Sequence, residues 1–193
     1  GYNVAIGNFA MDDTNAGSTS AGSTHNIFIG NDAGGGTWAN AASNYNVGIG
    51  NYSMDAAMDG ALNNTAVGHN SLSELTTGDN NVAIGYQSLD ALTAGTNNVA
   101  VGVNALTAAD GDENYNISIG SYSMSTVNND SADHNVAIGY YALNATTTAG
   151  TIAIGREALK ASTSGFGNIA IGLNAMKVHT TGGNNIAIGY AAM

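Results

Sequence analysis

A five-residue core, Asn-Val-Ala-Ile-Gly in its commonest form, returns eleven times from one end of this chain to the other. It reads so at 3–7, 81–85 and 135–139, with close variants at 26–30, 46–50, 64–68, 98–102, 116–120, 151–155, 168–172 and 185–189. The closing glycines, Gly7, Gly30, Gly50, Gly68, Gly85, Gly102, Gly120, Gly139, Gly155, Gly172 and Gly189, lie 16 to 23 residues apart. That interval is the period of a solenoid, and self-similarity across all 193 residues outweighs the prior, from length alone, of one or two globular domains. The chain is expected to be one repeat domain, 1–193, of eleven repeats. It opens at Gly1 in mid-motif and ends directly after the eleventh copy, without the atypical caps a solenoid needs, so a piece of a longer fibre is expected.

Within Val82-Ala83-Ile84 successive side chains alternate between the two faces of a strand, which makes each motif one short strand. The large pair is expected to line the interior of the coil. The middle residue is usually Ala, with Phe28, Gly48 and Ser118 as exceptions, so the opposite, small-residue face is expected to be covered by other chains. Ahead of the strand stands Asn3, Asn26, Asn46, Asn64, Asn81, Asn98, Asn116, Asn135, Asn168 or Asn185, with Thr151 the one substitute. Asn tolerates left-handed turns, and its amide can donate and accept between adjacent copies, which predicts an asparagine ladder. The invariant closing Gly implies a positive φ or a corner too crowded for a Cβ.

Three residues after that Gly comes only Ala or Ser, and then Leu or Met in every copy but one, where Gly34 stands. This second apolar row reads as a second short strand, with a single helical turn as the alternative because Leu72/Leu75 and Leu89/Leu92 are three apart. Polar, Gly-centred connectors such as Thr76-Thr77-Gly78-Asp79-Asn80 are turns. The longest, 11–25 and 34–45, are the first places to look for recognition. No single repeat buries enough apolar surface to offset its chain entropy, so folding must come from stacking. Eleven rungs at about 4.8 Å give a rod roughly 50 Å long.

The formal charge of −11, with Arg156, Lys160 and Lys177 the only cations, argues against nucleic-acid and anionic-membrane partners. No apolar run approaches the length of a membrane span, and no secretory signal is present. Absence of cysteine excludes disulfides and thiolate metal sites. Absence of proline and low charge fit a stacked, small-residue architecture better than disorder.

The Asn-Val-Ala-Ile-Gly motif resembles the head repeat of trimeric autotransporter adhesins. That resemblance implies a left-handed parallel β-roll closed by trimerisation. The longer period and the trailing Gly85-Tyr86-Gln87-Ser88-Leu89 and Gly139-Tyr140-Tyr141-Ala142-Leu143 look more like repeats of bacteriophage tail-fibre and related virion fibre proteins. Together they imply an extracellular homotrimeric fibre segment, of a virion or a bacterial cell surface, that spans distance or touches a host glycan or protein, and no catalytic residue. The repeat length and the lack of a coiled-coil stalk or membrane anchor depart from the adhesin pattern.

Other candidates are weaker. Asp12-Asp13, Asp110-Gly111-Asp112-Glu113 and Asp130/Asp133 offer oxygen ligands to Ca²⁺, but they do not recur in register and the calcium-repeat signature is missing, so solvated turns and no cofactor are expected. His25, His69, His134 and His179 lack metal or triad spacing, and no converging carboxylate pair or nucleophile elbow appears, so no catalytic or metal site is expected and the chain is read as a non-enzyme. An ice-binding solenoid needs a flat, regular Thr row, for which Thr76-Thr77, Thr146-Thr147-Thr148 and Thr180-Thr181 are too irregular. Tyr86, Tyr140 and Tyr190 follow the closing Gly while Tyr2, Tyr45 and Tyr115 precede the ladder Asn, predicting two aromatic stripes that pack along the rod or stack on sugar rings. Sequons at Asn63, Asn116 and Asn144 follow from composition, and Asn116, which opens a strand, is a poor acceptor.

Overall fold

The structure is a computed structural model that describes residues 1–14, 22–145 and 148–193. Each motif forms one three-residue strand: β1 Val4–Ile6, β2 Ile27–Ile29, β3 Val47–Ile49, β4 Thr65–Val67, β5 Val82–Ile84, β6 Val99–Val101, β7 Ile117–Ile119, β8 Val136–Ile138, β9 Ile152–Ile154, β10 Ile169–Ile171 and β11 Ile186–Ile188. They pair in chain order as a single parallel sheet of eleven strands, a β-solenoid with one rung per repeat. Register is set residue for residue, as in Val82↔Val99, Ala83↔Ala100 and Ile84↔Val101, so each side chain stands on its own equivalent one rung away.

Which face points inward is the reverse of the sequence expectation. The middle residue, Ala66, Ala83, Ala100, Ala137, Ala153 or Ala170, is fully buried, whereas Val82 is half-buried and Ile84 is 41% exposed. The reason is the second apolar row. Met54, Leu72, Leu89, Leu106, Met124, Leu143, Leu159 and Met176, four residues after the closing glycines, are all fully buried and reach across the narrow coil to the sheet. Behind them pack Leu75, Leu92, Ala109 and Val127. With those side chains filling the cross-section, only a small side chain fits on the sheet side.

That second row is also neither a strand nor a helical turn. Its residues alternate in handedness: Gln87 at φ 51° and Leu89 at φ 50° flank Ser88, and the same pattern recurs at Asn70/Leu72, Asn104/Leu106, Tyr122/Met124, Tyr141/Leu143 and Asn174/Met176. The segment nevertheless bonds to both neighbouring rungs. Gln87 N donates to the His69 carbonyl at 3.0 Å and Leu89 N to the Ala105 carbonyl at 3.1 Å. Alternate left-handed residues break the pleat a strand would need but still aim donors along the rod axis, so the backbone is satisfied without a second sheet.

The exceptions in the sequence are coupled. Phe28 occupies the interior position where the other rungs carry Ala, Gly or Ser, and it is fully buried. A Cβ on Gly34, the one break in the Leu/Met row, would stand 2.9 Å from the Phe28 ring, and one on Gly48 of the next strand 2.5 Å from it. Phe28 therefore takes the volume that Leu holds in other rungs, and Trp38 meets it edge to face at 5.9 Å between ring centroids while donating Nε1–H to the Gly34 carbonyl at 3.1 Å. Similarly, Ser118, the polar middle residue, is bonded to Ser123 of its own rung, with 2.5 Å between hydroxyls. The Phe28/Gly34 pair yields a thermodynamic cycle. Gly34→Leu alone is expected to destabilise by about 1–3 kcal/mol through overpacking, and the same change in a Phe28→Ala background to recover most of that loss, as read by chemical denaturation of the single and double variants.

Candidate functional site

The inverted pleat leaves two residues from every strand on the outside of the sheet. One row is Val4, Ile27, Val47, Thr65, Val82, Val99, Ile117, Val136, Ile152, Ile169 and Ile186, and the other runs from Ile6 to Ile188. None is charged, and Thr65 is the only one with a polar group. None is buried; Ile27, Ile49, Ile117 and Ile119, all away from the terminal rungs, are each 38% exposed. In-register pairing makes this strip continuous over all eleven strands. At about 4.8 Å per rung it is roughly 50 Å long, and at about 3.3 Å per residue roughly 10 Å wide. Its area, on the order of 500 Å², is at the upper end of what a soluble monomer exposes, and such patches mark contact sites.

Aromatic rings border the strip on both sides. On the side where the strands begin, His25 lies between Tyr2, tilted to it at 5.2 Å, and Tyr45, stacked on it at 5.0 Å, and Tyr115 stacks on His134 at 4.9 Å with a 16° angle between planes. All five precede the ladder Asn, and all but Tyr2 have positive φ, His25 at 62°, Tyr45 at 60°, Tyr115 at 58° and His134 at 59°. The left-handed position is thus the residue before the Asn, not the Asn itself, and Asn63, Asn80, Asn97 and Asn184 fill it in other rungs. On the far side, Tyr52, His69 and Tyr86 lie 5.6 Å apart in sequence. His25 and His69 stand between tyrosines, His134 stacks on Tyr115, and the His179 ring lies 3.2 Å from the Gly182 carbonyl; among the described residues no three His, Asp or Glu side chains are placed to hold a metal ion.

Beneath the strip runs the asparagine ladder. Asn64 Oδ1 accepts from Asn81 N at 2.9 Å and from Asn81 Nδ2 at 3.1 Å, while Asn81 Nδ2 also donates to the Gly95 carbonyl at 2.8 Å. The unit repeats through Asn26, Asn46, Asn64 and Asn98, and again between Asn168 and Asn185. It falters over β7 to β9: the buried Nδ2 groups of Asn116 and Asn135 have no hydrogen-bond partner, and Thr151, which replaces Asn in the next rung, keeps only the backbone bond, its N donating to Asn135 Oδ1 at 2.9 Å. Asn116 is fully buried, which removes it as a sugar acceptor. The corner at the end of each strand is closed by glycine: Gly85 has φ 136°, and a Cβ there would lie 2.4 Å from the Gly102 carbonyl oxygen. Ladder and corner glycines build the scaffold, leaving chemistry to the surfaces.

The acidic residues disperse. Glu113 is buried, accepts from Gly111 N and Asn129 N, and is pushed above the ordinary carboxylate range by burial, only partly offset by those bonds. Asp55 lies in a surface groove of about 510 Å³ with Tyr52, His69, Asn70 and Glu74, and is raised by burial and then by neighbouring Asp32, Glu74 and Asp12. The connector at 11–25 lies partly outside the described residues, as do Thr146 and Thr147. Among the described residues no helix is long and apolar enough to cross a membrane.

Comparison with family models, with curated proteins and with solved structures found no match to this chain. What the fold and its surfaces define is a class: a repeat protein built as a parallel β-solenoid.

Proposed function

We propose that this chain is a structural and adhesive segment of a homotrimeric extracellular fibre, such as a phage tail fibre, in which the aliphatic strips of three copies pack around a common axis. The observation that carries this reading is the uncharged strip of paired Val and Ile side chains running the length of the sheet. A second copy suits it best. The strip is regular, so it presents to a parallel copy the same spacing that the copy presents back, and its area, on the order of 500 Å², is the larger part of the roughly 800 Å² per partner of a stable interface. The chains would then meet through the large residues, not through the small-residue face. Remaining surfaces, acidic or aromatic, face outward for contact with a host glycan or protein.

The head of a trimeric autotransporter adhesin is the alternative biology for the same assembly. The five-residue motif is shared, while the repeat period of 16 to 23 residues and the trailing Gly85-Tyr86-Gln87-Ser88-Leu89 favour the virion fibre.

Ile84→Asp and Ile119→Asp, each centred on the strip, test the assembly. The unmodified chain is expected to have a trimer mass by light scattering, and the double variant a monomer mass, with interior packing undisturbed because both residues point out of the coil. A folded monomer for the unmodified chain would end the proposal.

A further inference from the structure

The rod is electrically uneven. Residues 1–133 carry thirteen of the fourteen acidic side chains and no Lys or Arg, whereas the stretch that follows holds all three cations and Glu157. In the structure those three cations meet. Lys177 Nζ lies 2.5 Å from Glu157 Oε2, Lys160 Nζ 3.6 Å from Oε1 and Arg156 Nη2 3.9 Å from Oε1, three residues of adjacent rungs drawn to one carboxylate. Glu157 is tucked beneath them with its side chain 11% exposed, and the Lys177 hydrogen bond holds it below the ordinary carboxylate range. The cations remain open: the side chains of Arg156, Lys160 and Lys177 are 65%, 37% and 42% exposed.

Two tyrosines form the wall of this cluster. The Arg156 guanidinium is 6.0 Å from the ring centroid of Tyr140, and Lys160 Nζ is 4.7 Å from that of Tyr141. The two rings stand edge to face at 4.5 Å. Tyr140 is 44% exposed, so an open tyrosine ring stands beside the exposed cationic heads.

From this arrangement we infer that the Arg156/Lys160/Lys177 cluster with Tyr140 is a binding site for an acidic sugar unit, its carboxylate held by the cations and its ring laid against the tyrosine. The chemistry is specific on two counts. One carboxylate among three cations leaves a local surplus of positive charge, which attracts an oxyanion, and a guanidinium can meet a carboxylate through two parallel hydrogen bonds. The rest of the chain repels anions, and at physiological salt its distant acids are screened beyond about 8 Å, so attraction is confined to this patch. An aromatic face beside the charge suits a saccharide ring better than a free ion. The inference deepens the recognition half of the proposed function and is independent of its assembly half.

Calorimetric titration of the full chain with trigalacturonate, and with its uncharged methyl ester, tests the site. The acid is expected to bind and the ester not. Arg156→Gln and Lys177→Gln should each weaken the acid's affinity by about tenfold, as expected for losing a hydrogen bond to a charged group. Arg156 is the outermost of the three, so its variant decides the matter if Lys177→Gln does not fold. Equal binding of acid and ester, unchanged affinity in Arg156→Gln, or no binding at all overturns the site. So does rod association at low salt that is abolished by Arg156→Gln without any sugar binding, since the cluster would then serve the acidic rungs of another copy. Light scattering on the same samples reports the trimer separately, so failure of one reading leaves the other standing.

Discussion

Gly85→Ala is expected to destabilise the rod by about 3 kcal/mol or more, far above the ~1 kcal/mol of an average substitution. Two costs coincide at this residue. Its φ of 136° is a conformation that L side chains rarely adopt, and the added Cβ would stand 2.4 Å from the Gly102 oxygen and 2.7 Å from its carbonyl carbon. Both are backbone atoms, so relief requires separating two rungs, which would stretch the Gly102 N to Ile84 carbonyl bond of 2.8 Å. Because a solenoid couples each rung mainly to its neighbours, the damage should centre on β5 and β6 and spread outward. Denaturation midpoints give the total, and hydrogen exchange at Gly102 N and Val82 N, which bond across β5 and β6, locates it. The terminal corner is the control. A Cβ on Gly189 meets nothing closer than 4.0 Å, so Gly189→Ala retains only the conformational penalty and should cost distinctly less than Gly85→Ala. Equal losses would show that rung-to-rung contact does not matter.

Asn81→Ala should have an effect of similar size by a different route. Removing the side chain takes the acceptor from Asn98 N, at 3.0 Å, and from Asn98 Nδ2, at 3.1 Å, and takes the donor from the Gly95 carbonyl. All this is buried, and each stranded group costs about 1–3 kcal/mol, so a loss of about 3–5 kcal/mol is expected where water cannot enter. Threonine should recover part of it. At Thr151 the chain already tolerates that residue, with Oγ1 reaching toward the Gly165 carbonyl at 3.5 Å. Thermal unfolding of Asn81→Ala beside Asn81→Thr checks the ranking, and a Thr variant no better than Ala would show that the ladder works through more than its hydrogen bonds.

Sequence alone reached the solenoid because its evidence is repetition: eleven motifs, each ending in a Gly that no rung replaces, leave few architectures besides stacked coils. It also marked the Asn and Gly positions, since a column of identical residues in register is what a ladder or a crowded corner requires. The odd residues Phe28 and Gly34 were visible one at a time, yet that they exchange volume within one rung was not, because only the closed coil brings them together.

Tertiary structure decided which side of the strand is inside. A period of two names two faces and ranks neither, and the habit of placing large residues inward points the wrong way here. The width of the coil settles it: Leu89 and its equivalents already span the interior, so Ala83 faces in and Val82 and Ile84 face out. The gathering of Arg156, Lys160 and Lys177 over Glu157 was equally hidden, for residues up to 21 positions apart become neighbours only when rungs of 17 stack.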